Sequence, residues 1–194
     1  LPMFSLLRAE GVTPHKENLK ESTQPLLPRG LYEAGPGIAC GDLDKDGWDD
    51  LAISNGRGGA VSLYRNLKGR GLGSFKDTIS SINSRDGLSL LISEGHLIQC
   101  FSNLEDGLAF GDMVTVNKLG KDIVQRIKAV AESAGHMSMA DVDCDGDLDL
   151  FIAGRSIANH YPKPVDCWVY INENGKFVQN DSWSKAFKKI GVAT

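Results

Sequence analysis

Gly41-Asp42-Leu43-Asp44-Lys45-Asp46-Gly47-Trp48-Asp49-Asp50-Leu51-Ala52-Ile53 returns 99 residues later as Ala140-Asp141-Val142-Asp143-Cys144-Asp145-Gly146-Asp147-Leu148-Asp149-Leu150-Phe151-Ile152. Both stretches read D-x-D-x-D-G-x-x-D and run straight into an apolar segment. In this pattern alternate carboxylates turn toward one point while the glycine permits a sharp bend. Carboxylates held about 4 Å apart repel each other by roughly 1–4 kcal/mol, from bulk water to surface-like dielectrics. A hard divalent cation removes that repulsion, and Ca²⁺ accepts about six to eight oxygen ligands. The expected first site is Asp42, Asp44, Asp46 and Asp50 with the Trp48 carbonyl. The expected second is Asp141, Asp143, Asp145 and Asp149 with the carbonyl of Asp147. An EF-hand is excluded, because it needs a Glu at the twelfth loop position and flanking helices. Those positions here are Ile53 and Ile152, each in an apolar run that reads as a strand.

Working outward, each unit also ends alike. Leu63-Tyr64-Arg65-Asn66 leads to Gly73-Ser74-Phe75, and Val169-Tyr170-Ile171-Asn172 leads to Gly175-Lys176-Phe177. Each repeat therefore reads as acidic loop, apolar strand, turn, second strand ending aromatic-x-Asn, a Gly turn and an aromatic outer strand. The run 51–54 suits a short buried strand, and Asn55-Gly56-Arg57-Gly58-Gly59 supplies the turn to the next one.

A third, worn copy is expected between these two. Asp86-Gly87-Leu88-Ser89-Leu90-Leu91-Ile92 follows the later part of the acidic motif, and Cys100-Phe101-Ser102-Asn103 matches the aromatic-x-Asn ending. Ile82, Ser84 and Leu90 stand where its other ligands would be, so this copy should not hold a cation. Asp46 and Asp86 are 40 residues apart, Asp86 and Asp145 59. Repeats of about 40–50 residues mark the blades of a β-propeller. The extra length falls near 111–135, where 113–116 and 123–127 read as strands on their β-branched content; a helix over 121–132 is the competing reading. Residues 155–166, with Pro162 and Pro164, read as a long loop in the last unit.

The fold class expected is all-β: about three to four propeller blades, with an N-terminal segment (1–34) that is an outer strand or linker. The repeats occupy 35–194, divided at about 35–80, 81–135 and 136–194. At 194 residues, 41% hydrophobic, the chain can bury a core. Its net charge of −4 leaves no basic footprint for nucleic acid. No apolar run is long enough to span a bilayer. Cys40, Cys100, Cys144 and Cys167 form no CxxC pair, so small buried thiols in strands are expected over a zinc site, with one or two disulfides open if the protein is secreted. Asn180-Asp181-Ser182 is a formal glycosylation sequon. Opening on Leu1, the chain reads as a processed product or a piece of something longer.

The two acidic stretches, together with the Leu63-Tyr64-Arg65-Asn66 and Gly73-Ser74-Phe75 endings, resemble the FG-GAP/VCBS repeats of integrin-α-like propellers, closest to the group of secreted proteins like cartilage acidic protein and its bacterial relatives. The resemblance covers roughly residues 35–194 with a gap at 111–135. It implies a propeller of about seven blades, an extracellular, cell-surface or periplasmic setting, and a role in adhesion or ligand binding. The rest of the propeller would come from a longer protein or another chain, since lone blades expose an apolar face. A protein or glycan ligand would then contact loops on one face, with 155–166 and Trp168 as the candidate surface.

Catalytic signals are sparse. His15, His96, His136 and His160 are scattered, and no GxSxG, P-loop or GxGxxG pattern occurs. A polysaccharide-active lyase or hydrolase on the same scaffold is the alternative reading, and Arg155, His160 and Tyr161 are the residues it would use.

Overall fold

A computed structural model describes residues 36–76, 79, 85–104, 111–121 and 123–188. The segment 1–34, His15, Ile82, Ser84 and the terminal run 190–194 lie outside the described residues. Among the described residues the chain is all-β, with twelve strands in three four-stranded antiparallel sheets and one short helix.

Each sheet is a meander in chain order. The first holds β1 (Ile38–Gly41), β2 (Asp50–Ile53), β3 (Ser62–Asn66) and β4 (Leu72–Ser74). The second holds β5 (Gly87–Ser93), β6 (His96–Phe101), β7 (Asp112–Lys118) and β8 (Gln125–Lys128). The third holds β9 (Glu132–Ala140), β10 (Asp149–Ile157), β11 (Trp168–Asn172) and β12 (Phe177–Gln179). The described residues of 111–135 hold β7, β8 and the start of β9 and no helix, and the β-branched residues Val114, Thr115 and Val116 lie buried in β7.

Sequence periodicity explains how the sheets stack. On β6 neighbouring side chains point to opposite faces. Leu97 packs with Ala39, Leu43, Ala52 and Leu90 toward the first sheet. Ile98 and Cys100 pack with Met137, Leu150 and Ile152 toward the third. The middle sheet is thus buried on both faces, and its strands carry near-continuous apolar runs for that reason. The first strands β1, β5 and β9 lie side by side along one end of the stack. Ser54 Oγ accepts from Gly37 N (2.7 Å) and donates to Gly87 O (2.6 Å), tying the first sheet to the second. A Cβ on Gly37 would sit 2.8 Å from Leu88 O, so only glycine allows this approach. Between β8 and β12 the Gln125 side chain acts as a surrogate strand edge, donating to Phe177 O (2.7 Å) and accepting from Phe177 N (3.0 Å).

The middle sheet follows this plan in a different frame from the one its sequence suggests. Asp86-Gly87 does not close an acidic loop: Gly87 opens β5, the first strand of its sheet, and 100–103 ends the second strand instead of the third. The place of the acidic loop, between first and second strands, is taken by the two-residue turn Glu94-Gly95, both at positive φ (51° and 75°). That tight hairpin turn leaves no chain length for a row of carboxylates.

Two further expectations change. The loop of the third sheet is shorter than 155–166, because β10 continues to Ile157. Trp168 is not on its surface: it is buried at the start of β11, within the core between the second and third sheets. The helix α1 (Asp181–Ala186) follows β12, with Asn180 as its N-cap accepting from Trp183 N (3.0 Å). The sequon asparagine therefore serves to start a helix. Phe187, just after it, packs edge-on against Phe151 of β10 at 5.3 Å.

Candidate metal centre

The two acidic loops occupy the same place in the first and third sheets, joining first strand to second across 42–49 and 141–148. Their backbones match. Lys45 and Cys144 lie at φ 60° and 64°, and Gly47 and Gly146 at 88° and 98°. The bend around the third aspartate is thus made by left-handed residues at equal positions in both loops, the conformation glycine favours.

The ninth residue of each motif is an anchor. Asp50, 1% exposed, accepts from Leu43 N (3.0 Å) through Oδ2 and from Asn66 N (2.9 Å) through Oδ1. Asp149, 2% exposed, accepts from Val142 N (2.8 Å) and Asn172 N (2.8 Å) through the same two atoms. One carboxylate thereby holds the start of the loop and the end of the third strand. The asparagines complete the joint. Asn66 Nδ2 donates to Asp49 O (2.9 Å) and its Oδ1 accepts from Gly69 N (2.8 Å). Asn172 Nδ2 donates to Leu148 O (3.2 Å) and its Oδ1 accepts from Gly175 N (2.8 Å). The aromatic-x-Asn ending, visible in the sequence without an assigned role, is the clamp that seats the acidic loop on its sheet.

Inside each loop the carboxylates fold back on the chain. Asp42 accepts from Asp46 N (2.9 Å) and Gly47 N (2.8 Å), and Asp141 from Gly146 N (3.1 Å). Asp143 accepts from Asp145 N (3.2 Å), and Asp145 from Asp147 N (2.9 Å). The result is two clusters. Carboxylate oxygens of Asp42, Asp44 and Asp50 lie within 4.8 Å of one another, as do those of Asp141, Asp143 and Asp145. Each group can hold a metal ion.

The remaining predicted ligands stand just outside these groups. Asp46 pairs with Arg65 and accepts from Trp48 N (3.1 Å). Trp48, 43% exposed, lies over the β3–β4 turn against Gly69. Asp147 is half-buried beside Asp145, and Asp149 serves as the anchor beneath the second cluster.

Electrostatics show how closely the carboxylates crowd one another. Burial pushes the Asp50 carboxyl above its ordinary range, against the stabilising N–H bonds from Asn66 and Leu43. Desolvation pushes Asp143 up, and the like charges of Asp145, Asp149 and Asp141 add to it. Crowded carboxylates that resist ionisation gain most from a neighbouring cation. In the first loop a side chain already supplies one. Arg65 Nε lies 2.6 Å from Asp44 Oδ2 and Nη2 lies 2.9 Å from Asp46 Oδ2. The Asp44 charge is the main reason the Arg65 guanidinium holds its proton more firmly still. Sequence reasoning passes over Arg65, because its role needs the cross-strand register that brings β3 back to the loop.

Other residues singled out in the sequence lie on or just after β10. His160 Nδ1 is bonded to Ala158 O (2.9 Å), while Arg155 lies on β10 and is partly desolvated. The four cysteines are free thiols: Cys100 is buried in β6 as expected of a small strand thiol and Cys167 is buried just before β11, but Cys40 and Cys144 are exposed. Burial pushes the Cys100 thiol up to about 12, so it stays protonated. No helix among the described residues is long and apolar enough to cross a membrane.

Comparison with protein-family models, with curated proteins and with solved structures yields no match.

Proposed function

We propose that this chain is a calcium-stabilised binding module made of β-propeller blades, non-enzymatic, and placed outside the cell, at its surface or in the periplasm. The observation that carries the reading is the duplicated centre. The same loop conformation, buried anchor and asparagine clamp recur at one topological position in two sheets 99 residues apart. An acidic turn that merely faces solvent has no need of this apparatus. The donors brought together in each cluster are carboxylate oxygens, which suit a hard cation such as Ca²⁺.

Three meander sheets stacked in chain order, with their first strands side by side, support the blade reading. Calcium would pin the turn between first and second strands, leaving neighbouring loops to contact a protein or glycan ligand. In this reading further blades come from a longer protein or another chain. Calorimetric titration with CaCl₂ tests it: two ions per chain are expected, with MgCl₂ failing to compete at equal concentration. A chain that binds no calcium, or binds it unchanged when Asp44 and Asp143 are both replaced by Ala, would sink the proposal.

A further inference from the structure

We propose that Arg65 is the resident counter-cation of the first acidic loop and makes the two centres unequal: the loop at 141–149 takes Ca²⁺ first, and the loop at 42–50 takes it only when Arg65 is displaced. This rests on the calcium reading above. The two centres share their anchor and clamp, although their clusters differ in the third carboxylate and Lys45 and Trp48 stand where the second loop has Cys144 and Asp147. Tyr64 faces Leu51 across β2 and β3, Tyr170 faces Leu150 across β10 and β11, and Asn66 and Asn172 follow at equal spacing. They also differ at the residue before the asparagine, which is Arg65 in the first sheet and Ile171 in the third.

Arg65 comes from another strand, 19 residues beyond Asp46, so its contact is not an incident of loop geometry. It places a positive charge 2.6 Å from Oδ2 of Asp44, a member of the first cluster, and holds Asp46 at 2.9 Å. A guanidinium does not give up its proton in water, so it must move to admit a cation. A metal ion at Asp42 and Asp44 would otherwise face a like charge at close range, where repulsion is felt even in a high dielectric. Ile171 brings no charge to the second cluster, whose crowded carboxylates retain their full demand for a cation. The first centre is therefore partly neutralised by Arg65 at low calcium, while the third strand brings no cation to the second. As calcium rises, filling of the first would release Arg65 from the loop, where it is exposed enough to meet a partner.

Calcium titration of the full chain by calorimetry tests this, using Asp141→Asn/Asp143→Asn to isolate the first loop and Asp42→Asn/Asp44→Asn to isolate the second. The second loop should bind roughly tenfold or more tightly than the first. Arg65→Ile in the first background should tighten binding by a similar factor, Arg65→Lys should leave it weak, and Ile171→Arg in the second background should weaken it. Near-UV circular dichroism checks that each variant is folded, and Ile171→Arg gives an independent reading should Arg65→Ile not fold. If both loops bind calcium equally and Arg65→Ile changes nothing or weakens the first, the role of Arg65 is wrong while the calcium reading stands. If neither loop binds calcium, both fall together.

Discussion

Asp149 Oδ1 accepts the backbone N–H of Asn172 at 2.8 Å, as Asp50 Oδ1 accepts that of Asn66 at 2.9 Å. The bond joins the first residue of one strand to the last residue of the next, and the same carboxylate reaches back to the loop through Oδ2. Each acidic loop is thus built on a buried, prearranged foundation.

Removing that foundation should be costly even without metal. Asp149→Ala leaves the buried N–H of Asn172 and the partly buried N–H of Val142 without their acceptor, and an orphaned buried donor costs about 1–3 kcal/mol. Urea unfolding in EGTA should show a loss of at least that size, with Asp149→Asn milder because its amide oxygen still accepts. An unchanged midpoint for Asp149→Ala would mean the anchor bonds add nothing.

Asp86 should make stability depend on pH in a predictable direction. It accepts from Arg57 N (2.6 Å), but burial is the larger influence and raises its pKa above 3.8. The folded state then binds more protons than the unfolded one across a window that opens near 3.8 and closes at the raised value. Through that window its contribution falls as pH rises, and the full cost is present above it. Asp86→Asn should flatten this fall and leave stability near neutral pH equal or higher, as read from urea midpoints in acidic and neutral buffer. A steeper fall in the variant would reverse the assigned sign.

Two glycines should fail for different reasons. Gly146 lies at φ 98°, and a methyl group there would meet nothing within 4 Å, so Gly146→Ala costs only backbone strain, about 1–2 kcal/mol. A Cβ on Gly154 would fall 1.9 Å from Asp166 O, a backbone atom. Gly154→Ala must displace the chain leading into β11 and should destabilise more. Thermal midpoints of the two variants in EGTA decide the order, and a milder Gly154→Ala would contradict the packing there.

The acidic loops are legible in the sequence because their chemistry is written in consecutive residues. Asp42 to Asp50 and Asp141 to Asp149 need no knowledge of the fold to be seen as clusters. Asn66 and Asn172 are visible as a repeated ending, but their function depends on strand pairing that joins residues 16 and 23 apart. Arg65 stays hidden for the same reason. In the middle sheet Asp86-Gly87 imitates the tail of the acidic motif, and only the Glu94-Gly95 turn reveals the true frame. Trp168 reads as a surface aromatic after two prolines, yet it opens β11 and is buried in the core between the second and third sheets. The helix α1 is six residues long, too short for periodicity to announce, although Asn180-Asp181 is a fair start signal.

In the calcium reading the two loops are metal centres that hold the fold together. Thermal unfolding of the chain in EGTA and then in millimolar Ca²⁺, beside Asp44→Ala and Asp143→Ala, tests it most directly. A ligand at about a hundred times its Kd adds roughly 2.7 kcal/mol per site. A clear rise in midpoint with calcium is expected, reduced in either variant and absent when the two are combined. A midpoint indifferent to calcium would show that the loops are solvated turns and contradict that reading.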